Sequence, residues 1–330
     1  MSRVALPSGH IGVTQLPQIG GGPRRDVVMV HGFGANSGFW YASAVRWFRR
    51  FGRVTLFDLP GHGDSEMPYS GYTAADLAQV LSEVFDHLQL GDAHLVAHSF
   101  GATVALAFAT RQPDRVASLV LADARLWAVE PPSPPDAAGP RVQRLREAGL
   151  TLADPHLDIS VQLLVELARI RLEKDEPGPA IREAVPGASS LFRGRRSAAR
   201  WLKLIETTRA YEEMADPEGL TLAEIERVHQ PILAVYGGLS ARKRSGLALQ
   251  RHCPRCELHF IPEVGHFFPL TRPRLFARPV LSFLRSLAPA KPSARERHPE
   301  PSAEVSAAQA PPVAEPPMLH LVHSSDRKVV

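Results

Sequence analysis

Ser99 stands in the run Ala97-His98-Ser99-Phe100-Gly101, with a small residue two positions to either side of it. That spacing matches a nucleophile elbow, a tight turn that carries the chain from a strand into a helix and thrusts a hydroxyl outward. The small residues have a steric purpose, because the turn strains the backbone at the serine and larger side chains at 97 and 101 would collide with the neighbouring strand and helix. Ala97 adds one methyl group where glycine is usual. Five residues of this kind also fit a helix start with a capping serine. The reading therefore requires a buried strand before Ser99 and a helix after it. A serine hydroxyl is a poor nucleophile near neutral pH until a base takes its proton, and histidine titrates in the right range to do so.

Other groups with chemical potential carry less. Cys253-Pro254-Arg255-Cys256 is a lone pair of thiols with no second pair, too few ligands for zinc and without the fold context of a redox motif. Gly20-Gly21-Gly22 lacks the lysine of a phosphate loop and reads as a flexible turn. Arg193, Arg195, Arg196 and Arg200 could grip phosphate or carboxylate groups, but a run of like charge most often forms a solvated helix face. No metal and no cofactor is expected. The net charge of +4 is spread among acidic residues, so no nucleic-acid partner is expected either.

The elements around Ser99 follow from hydrophobic periodicity. Residues 93–97 form an apolar run into the elbow, and Phe100–Arg111 has helical spacing. Asp26–Val30 is a similar run stopped by His31-Gly32-Phe33-Gly34, and Val54–Phe57 runs into Asp58-Leu59-Pro60-Gly61-His62-Gly63. Such runs suit strands buried on both faces. Residues 72–90 carry Leu77, Val80, Leu81, Val84, Phe85 and Leu88 at helical spacing, which makes a crossover helix between two parallel strands. Val116–Ala122, 232–236 and 258–261 add further strands, 11–19 reads as a hairpin region, and 273–287 is a closing helix that Pro279 should bend. Strand and helix alternate, which implies an α/β fold with a mostly parallel central sheet flanked by helices.

The alternation breaks over 127–227. Proline-rich sequence leads into segments with helical periodicity and no strand signal, so an inserted helical region is expected there. Thr221-Leu222-Ala223-Glu224 has the spacing of a capping box at a helix start. Residues 288–317 shift to Ala, Pro, Glu and Ser and cannot bury enough apolar surface to offset their ordering entropy, so a disordered tail is expected over 288–330. Its apolar end, Met318-Leu319-His320-Leu321-Val322-His323, could dock on an unknown protein partner.

The whole chain sets the frame. At 330 residues and 44 % hydrophobic composition it can build one large α/β domain with an insertion. Its 2 cysteines cannot supply a disulfide framework, and the start Met1-Ser2-Arg3-Val4-Ala5-Leu6-Pro7 lacks the apolar stretch of a signal peptide. A cytoplasmic protein is expected. No apolar run reaches the roughly 18 residues of a membrane span.

In their order along the chain, His31-Gly32-Phe33-Gly34, Asp58-Leu59-Pro60-Gly61-His62-Gly63-Asp64-Ser65, Ala97 to Gly101 and Gly265-His266-Phe267 resemble the landmarks of the α/β-hydrolase superfamily over 10–287. The resemblance implies an α/β-hydrolase fold whose core, 1–126 and 228–287, is interrupted by a helical cap or lid at 127–227. It implies Ser99 as nucleophile and His266, in the loop after the last strand, as general base. It assigns the backbone N–H groups of Phe33 and Phe100 to an oxyanion hole, and the side chains of His31 and His98 to structural hydrogen bonding. Asp58, His62 and Asp64 lie in a loop that the superfamily uses structurally.

The acid departs from the pattern. Most members carry it just after the strand that here is 232–236, yet Gly237-Gly238-Leu239-Ser240-Ala241-Arg242 holds no carboxylate and Ser240 takes its place. A minority use a carboxylate after the preceding strand, and Asp123 sits there. Asp123 is the expected acid; otherwise it is structural and the enzyme works with a dyad. A serine at the elbow implies acyl chemistry on a small-molecule substrate: hydrolysis of a carboxylic ester or thioester through an acyl-serine. The alternatives are a carbon–carbon bond hydrolase of the same fold and a non-catalytic binding protein. Trp127, Leu191, Phe192 and Trp201 are candidates to line an apolar acyl pocket under the cap, or are plain core.

Overall fold

The computed structural model describes residues 2–20, 25–132, 139–154, 156–174, 176–192, 194–216 and 220–287. The tail at 288–330, Gly21, Gly22 and Arg193, on which expectations were placed, lie outside them.

Eight strands form a single sheet in the order β1-β2-β4-β3-β5-β6-β7-β8. They are β1 (Ser2–Leu6), β2 (Gly9–Leu16), β3 (Asp26–Val30), β4 (Val54–Phe57), β5 (Ala93–His98), β6 (Val116–Ala122), β7 (Ile232–Gly237) and β8 (Cys256–Ile261). β1 pairs with β2, and β2 with β4, antiparallel; every pairing from β4 through β3 to β8 is parallel. The parallel strands are buried on both faces because alternate residues serve two cores. In β5, Leu95 and Ala97 pack on one side and Val96 on the other. The first side is covered by helices Ala74–His87 and Phe100–Arg111, the second by Gly38–Ser43, Val45–Phe48 and Pro273–Ser286. The fold is the α/β-hydrolase fold with an inserted helical region.

From β3 the chain turns to one side to make β4 and then crosses to the other side to make β5. At this reversal of direction the loops leaving the C-terminal ends of β3 and β5 diverge and leave a crevice, the place where open α/β sheets bind ligands. Between β6 and β7 the chain makes only helices among the described residues, including Ile159–Lys174 and Arg195–Thr207, which pack on each other. Thr221 and Glu224 form the expected capping box. No helix of the described residues is long and apolar enough to cross a membrane.

The edges of the fold differ from expectation. The hairpin is β1–β2 over residues 2–16, not 11–19. β1 pairs on one side only and buries none of its side chains fully, so it has no hydrophobic alternation to detect. Helix Lys243–His252 was not foreseen; its sequence is mostly polar and its inward face rests on Ser245, Gly246 and Leu249. The closing helix runs from Pro273 to Ser286 with Pro279 inside it.

Candidate active site

β5 delivers the chain to Ser99, where the backbone adopts φ 55° and ψ −125° before helix Phe100–Arg111 begins. Positive φ is costly for a residue with a Cβ and persists only when its surroundings impose it. Here they do. Ser99 N donates to Ala122 O at 2.9 Å. A Cβ on Gly101 would overlap the carbonyl oxygen of His31 and lie 2.8 Å from that of Val30, and one on Gly32 would lie 3.0 Å from Ser99 Cβ. Glycine at 101 thus lets the helix start lie directly against the end of β3.

The loop after β8 brings His266 to the same cavity that Ser99 lines. His266 Nδ1 lies 2.6 Å from Asp123 Oδ2. A carboxylate only accepts, so Nδ1 carries the hydrogen and the lone pair sits on Nε2. Ser99 Oγ and His266 make no hydrogen bond to each other among those of the described residues. Asp123 follows β6 directly, with φ 50°, and its side chain is wholly buried. Burial by itself would raise its pKa. Hydrogen bonding to His266 and donation from Ser240 Oγ (2.5 Å) and Gly237 N (3.0 Å) outweigh the burial and hold the carboxyl below its ordinary range. Ser240, where a carboxylate was expected and missing, thus donates to the carboxylate one strand away.

His98 lies beneath this pair. Its Nε2–H donates to the backbone oxygen of His266 at 3.0 Å, and desolvation lowers its pKa to about 3, so the ring is neutral. His31 accepts from Leu59 N through Nε2 (3.0 Å), and His62 accepts from Gly34 N through Nε2 (3.1 Å). Asp58 accepts from Ser37 N at 2.7 Å and Asp64 N at 2.8 Å. These groups brace the loop that carries Phe33.

Phe33 and Phe100 both line the cavity, their rings edge to face at 5.9 Å. Phe100 opens its helix, where N–H groups have no acceptor one turn back. The N–H of Phe33 donates to no other described residue. Two donors therefore stand beside Ser99 with no acceptor among the described residues.

The cavity encloses about 1190 Å³ and mixes apolar residues such as Trp127, Leu163 and Leu164 with charged ones. Of the aromatic residues expected to line it, Trp127 does. Phe192 and Trp201 do not; they are buried, and Trp201 packs against Phe33 at 4.8 Å. The Leu191 side chain lies outside what is described. The arginine cluster also departs from a plain solvated face: Arg196 pairs with Asp64 at 2.8 Å and Arg200 donates to Ser65 O, which ties the insertion to the loop after β4.

Sequence reasoning missed the polar wall of the cavity. Arg125, two residues after Asp123, is buried against Asp158 at 3.0 Å and over the Trp127 ring at 3.6 Å. Arg242, two residues after Ser240, bonds Ser160 Oγ at 2.6 Å. The signal available was their position just beyond two strand ends.

Residues 27–278 match the Alpha/beta hydrolase family. Among curated proteins, the chain is 28 % identical over 286 residues to a pimeloyl-(acyl-carrier protein) methyl ester esterase of Nitrosomonas europaea, covering 82 % of this chain and 97 % of that one. It is 29 % identical over 271 residues to a 2-hydroxy-6-oxononadienedioate/2-hydroxy-6-oxononatrienedioate hydrolase of Burkholderia vietnamiensis, covering 78 % and 86 %. Among solved structures, the enol-lactonase of Burkholderia xenovorans superposes with a TM-score of 0.61 at 18 % identity, covering 86 % of this chain and 100 % of that one. With the elbow, the sheet order and a match over 27–278 in agreement, the chain belongs to the alpha/beta hydrolase family.

Proposed function

We propose that the protein hydrolyses a carboxylic ester or thioester through an acyl-serine intermediate, with Ser99 as nucleophile, His266 as general base and Asp123 as the acid that orients the imidazole. One observation carries the reading: the 2.6 Å bond that fixes His266 with its Nε2 lone pair free, in the cavity that Ser99 enters from a strained turn.

The chemistry follows from that placement. Ser99 Oγ attacks the carbonyl carbon while its proton passes to His266 Nε2. The resulting imidazolium faces the ionised Asp123, and the oxyanion is received by the N–H groups of Phe33 and Phe100, a donor of this kind being worth about 3 kcal/mol. Collapse breaks the bond to the alcohol or thiol, which leaves with the proton from His266. Water then attacks the acyl-serine with His266 again as base, and the acid product departs. The helical region at 127–227 serves as the lid that excludes bulk water.

The methyl ester esterase among the relatives supports ester chemistry. The relative named as hydrolysing an oxononadienedioate supports carbon–carbon cleavage as the second reading, through the same serine and histidine. A fluorophosphonate probe tests the nucleophile. Labelling of the parent protein and none of Ser99→Ala is the expected result, and no labelling of a folded parent would leave a binding protein.

A further inference from the structure

The loops that leave β6 and β7 carry two arginines into the cavity beside the His266–Asp123 pair. Arg125 is nearly enclosed, and its charge is spoken for: Nη2 meets Asp158 Oδ2 at 3.0 Å and Pro131 O at 2.7 Å, and Nε donates to Glu130 O at 2.9 Å. Arg242 differs. It lines the cavity and has no carboxylate partner among the described residues; its Nη2 donates to the neutral hydroxyl of Ser160. Its backbone N–H donates to Ser240 Oγ at 3.1 Å, the same hydroxyl that donates to Asp123, so the residue is held next to the acid.

Glu147, Glu183 and Glu263 line the same cavity, and among the described residues none of them bonds Arg242; three further acids are engaged with other groups. Asp123 is bonded to His266, Ser240 and Gly237, Asp158 to Arg125, and Glu130 to Ser245. Burial, with the nearby charge of Arg242, brings Arg125 down to about 10 against the opposing pull of Asp158. A guanidinium presents a planar fork of donors that fits a carboxylate at two points, and such bonds strengthen where the surroundings are apolar. The cavity wall includes the apolar side chains of Trp127 and Val161.

We infer that Arg242 binds a carboxylate on the substrate remote from the bond that is cleaved, so that the preferred substrate is a monoester or monothioester of a dicarboxylic acid. The inference rests on the acyl-serine reading above and narrows it. Ser160, on the inserted helical region, holds the fork in place.

Matched substrates test it. The monomethyl and dimethyl esters of one dicarboxylic acid, taken in series from succinate to suberate, differ at one end only, a carboxylate against a methyl ester. For Arg242→Met the ratio of kcat/KM for the monoester to that for the diester falls tenfold to a hundredfold, through KM for the monoester, a range set by about one charge-assisted pair. Arg242→Lys recovers part of it. An equal loss on both esters would show Arg242 to be a tie between sheet and insertion, and would overturn the inference. Should neither ester be turned over by the parent, turnover of a nitrophenyl ester shows whether the acyl-serine reading stands. Calorimetric titration with the free dicarboxylates then decides the subsite by itself: weaker binding by Arg242→Met supports it, and equal or absent binding across the series overturns it.

Discussion

Asp123 stands outside the motif's usual place for an acid, yet its carboxylate lies against the imidazole of His266. The loop after β7 has Ser240 where a carboxylate is usual, yet the Asp123 carboxylate at the end of β6 reaches the same imidazole nitrogen from the adjacent strand. Ser240 and His266 donate to the same oxygen, so the serine supports the proposed acid instead of replacing it. Asp123→Asn is expected to lower kcat by about 10⁴, because an amide at this position no longer stabilises the imidazolium or selects its tautomer. Adding Ser240→Asp to that variant should return part of the rate, since a carboxylate there stands within reach of the same ring. Steady-state kinetics with fluorophosphonate labelling as a check on folding will read both; a fully active Asp123→Asn would make the aspartate structural. From sequence alone Ser99 was legible because it ends a buried strand, and His266 because it lies in the loop after the last strand, where the resemblance puts the base. Asp123 was expected only through the resemblance; the β6–β7 pairing that sets its carboxylate beside Ser240 is recorded by no local pattern.

At the scale of elements, helix Arg195–Thr207 is the one that most directly joins the insertion to the site. Its buried Trp201 packs edge to face on Phe33, and its ring lies where Gly34 leaves no room for a side chain: a Cβ there would come within 3.3 Å of it. Trp201→Ala is expected to destabilise the protein by about 3 to 5 kcal/mol, as truncating a buried tryptophan does. Because the lost ring also props the Phe33 loop, kcat should fall more than KM rises. Chemical denaturation and kinetics on the same preparation measure the two effects, and a stability loss with kcat untouched would show that the Phe33 N–H is held by its own loop. This helix announced itself by periodicity, but which face it buries was hidden. Trp201 and Phe192 read equally well as pocket wall or core, and the packing around Phe33 made them core. The central strands were legible because apolar runs between turn residues have few other uses. β1 and helix Lys243–His252 were not, since one is an exposed edge and the other mostly polar.

Across the whole molecule, burial of neutral histidines couples folding to pH. Desolvation lowers His31 and His94 to about 4, and His62 and His98 to about 3, from an ordinary value near 6.5. Below that ordinary value the unfolded chain takes up protons that the folded chain refuses, so stability is full above about pH 6.5 and is lost as pH falls toward 4. Each such histidine contributes up to about 1.4 kcal/mol per pH unit within that window. Asp58, raised chiefly by burial, opposes this only near the carboxylate range. The thermal midpoint should therefore drop steeply between pH 6.5 and 5, and a flat profile would mean that these rings ionise in place. Through His98, which carries the His266 backbone, the same protonation would loosen the site before global unfolding.

The central claim is that a covalent acyl group passes through Ser99. Acid-quenching the enzyme during turnover of a nitrophenyl ester, followed by peptide mass mapping, tests it most directly. The peptide containing Ser99 should gain the mass of one acyl group, and Ser99→Ala should show neither adduct nor turnover. Undiminished turnover by Ser99→Ala, or an adduct confined to another residue, would contradict it.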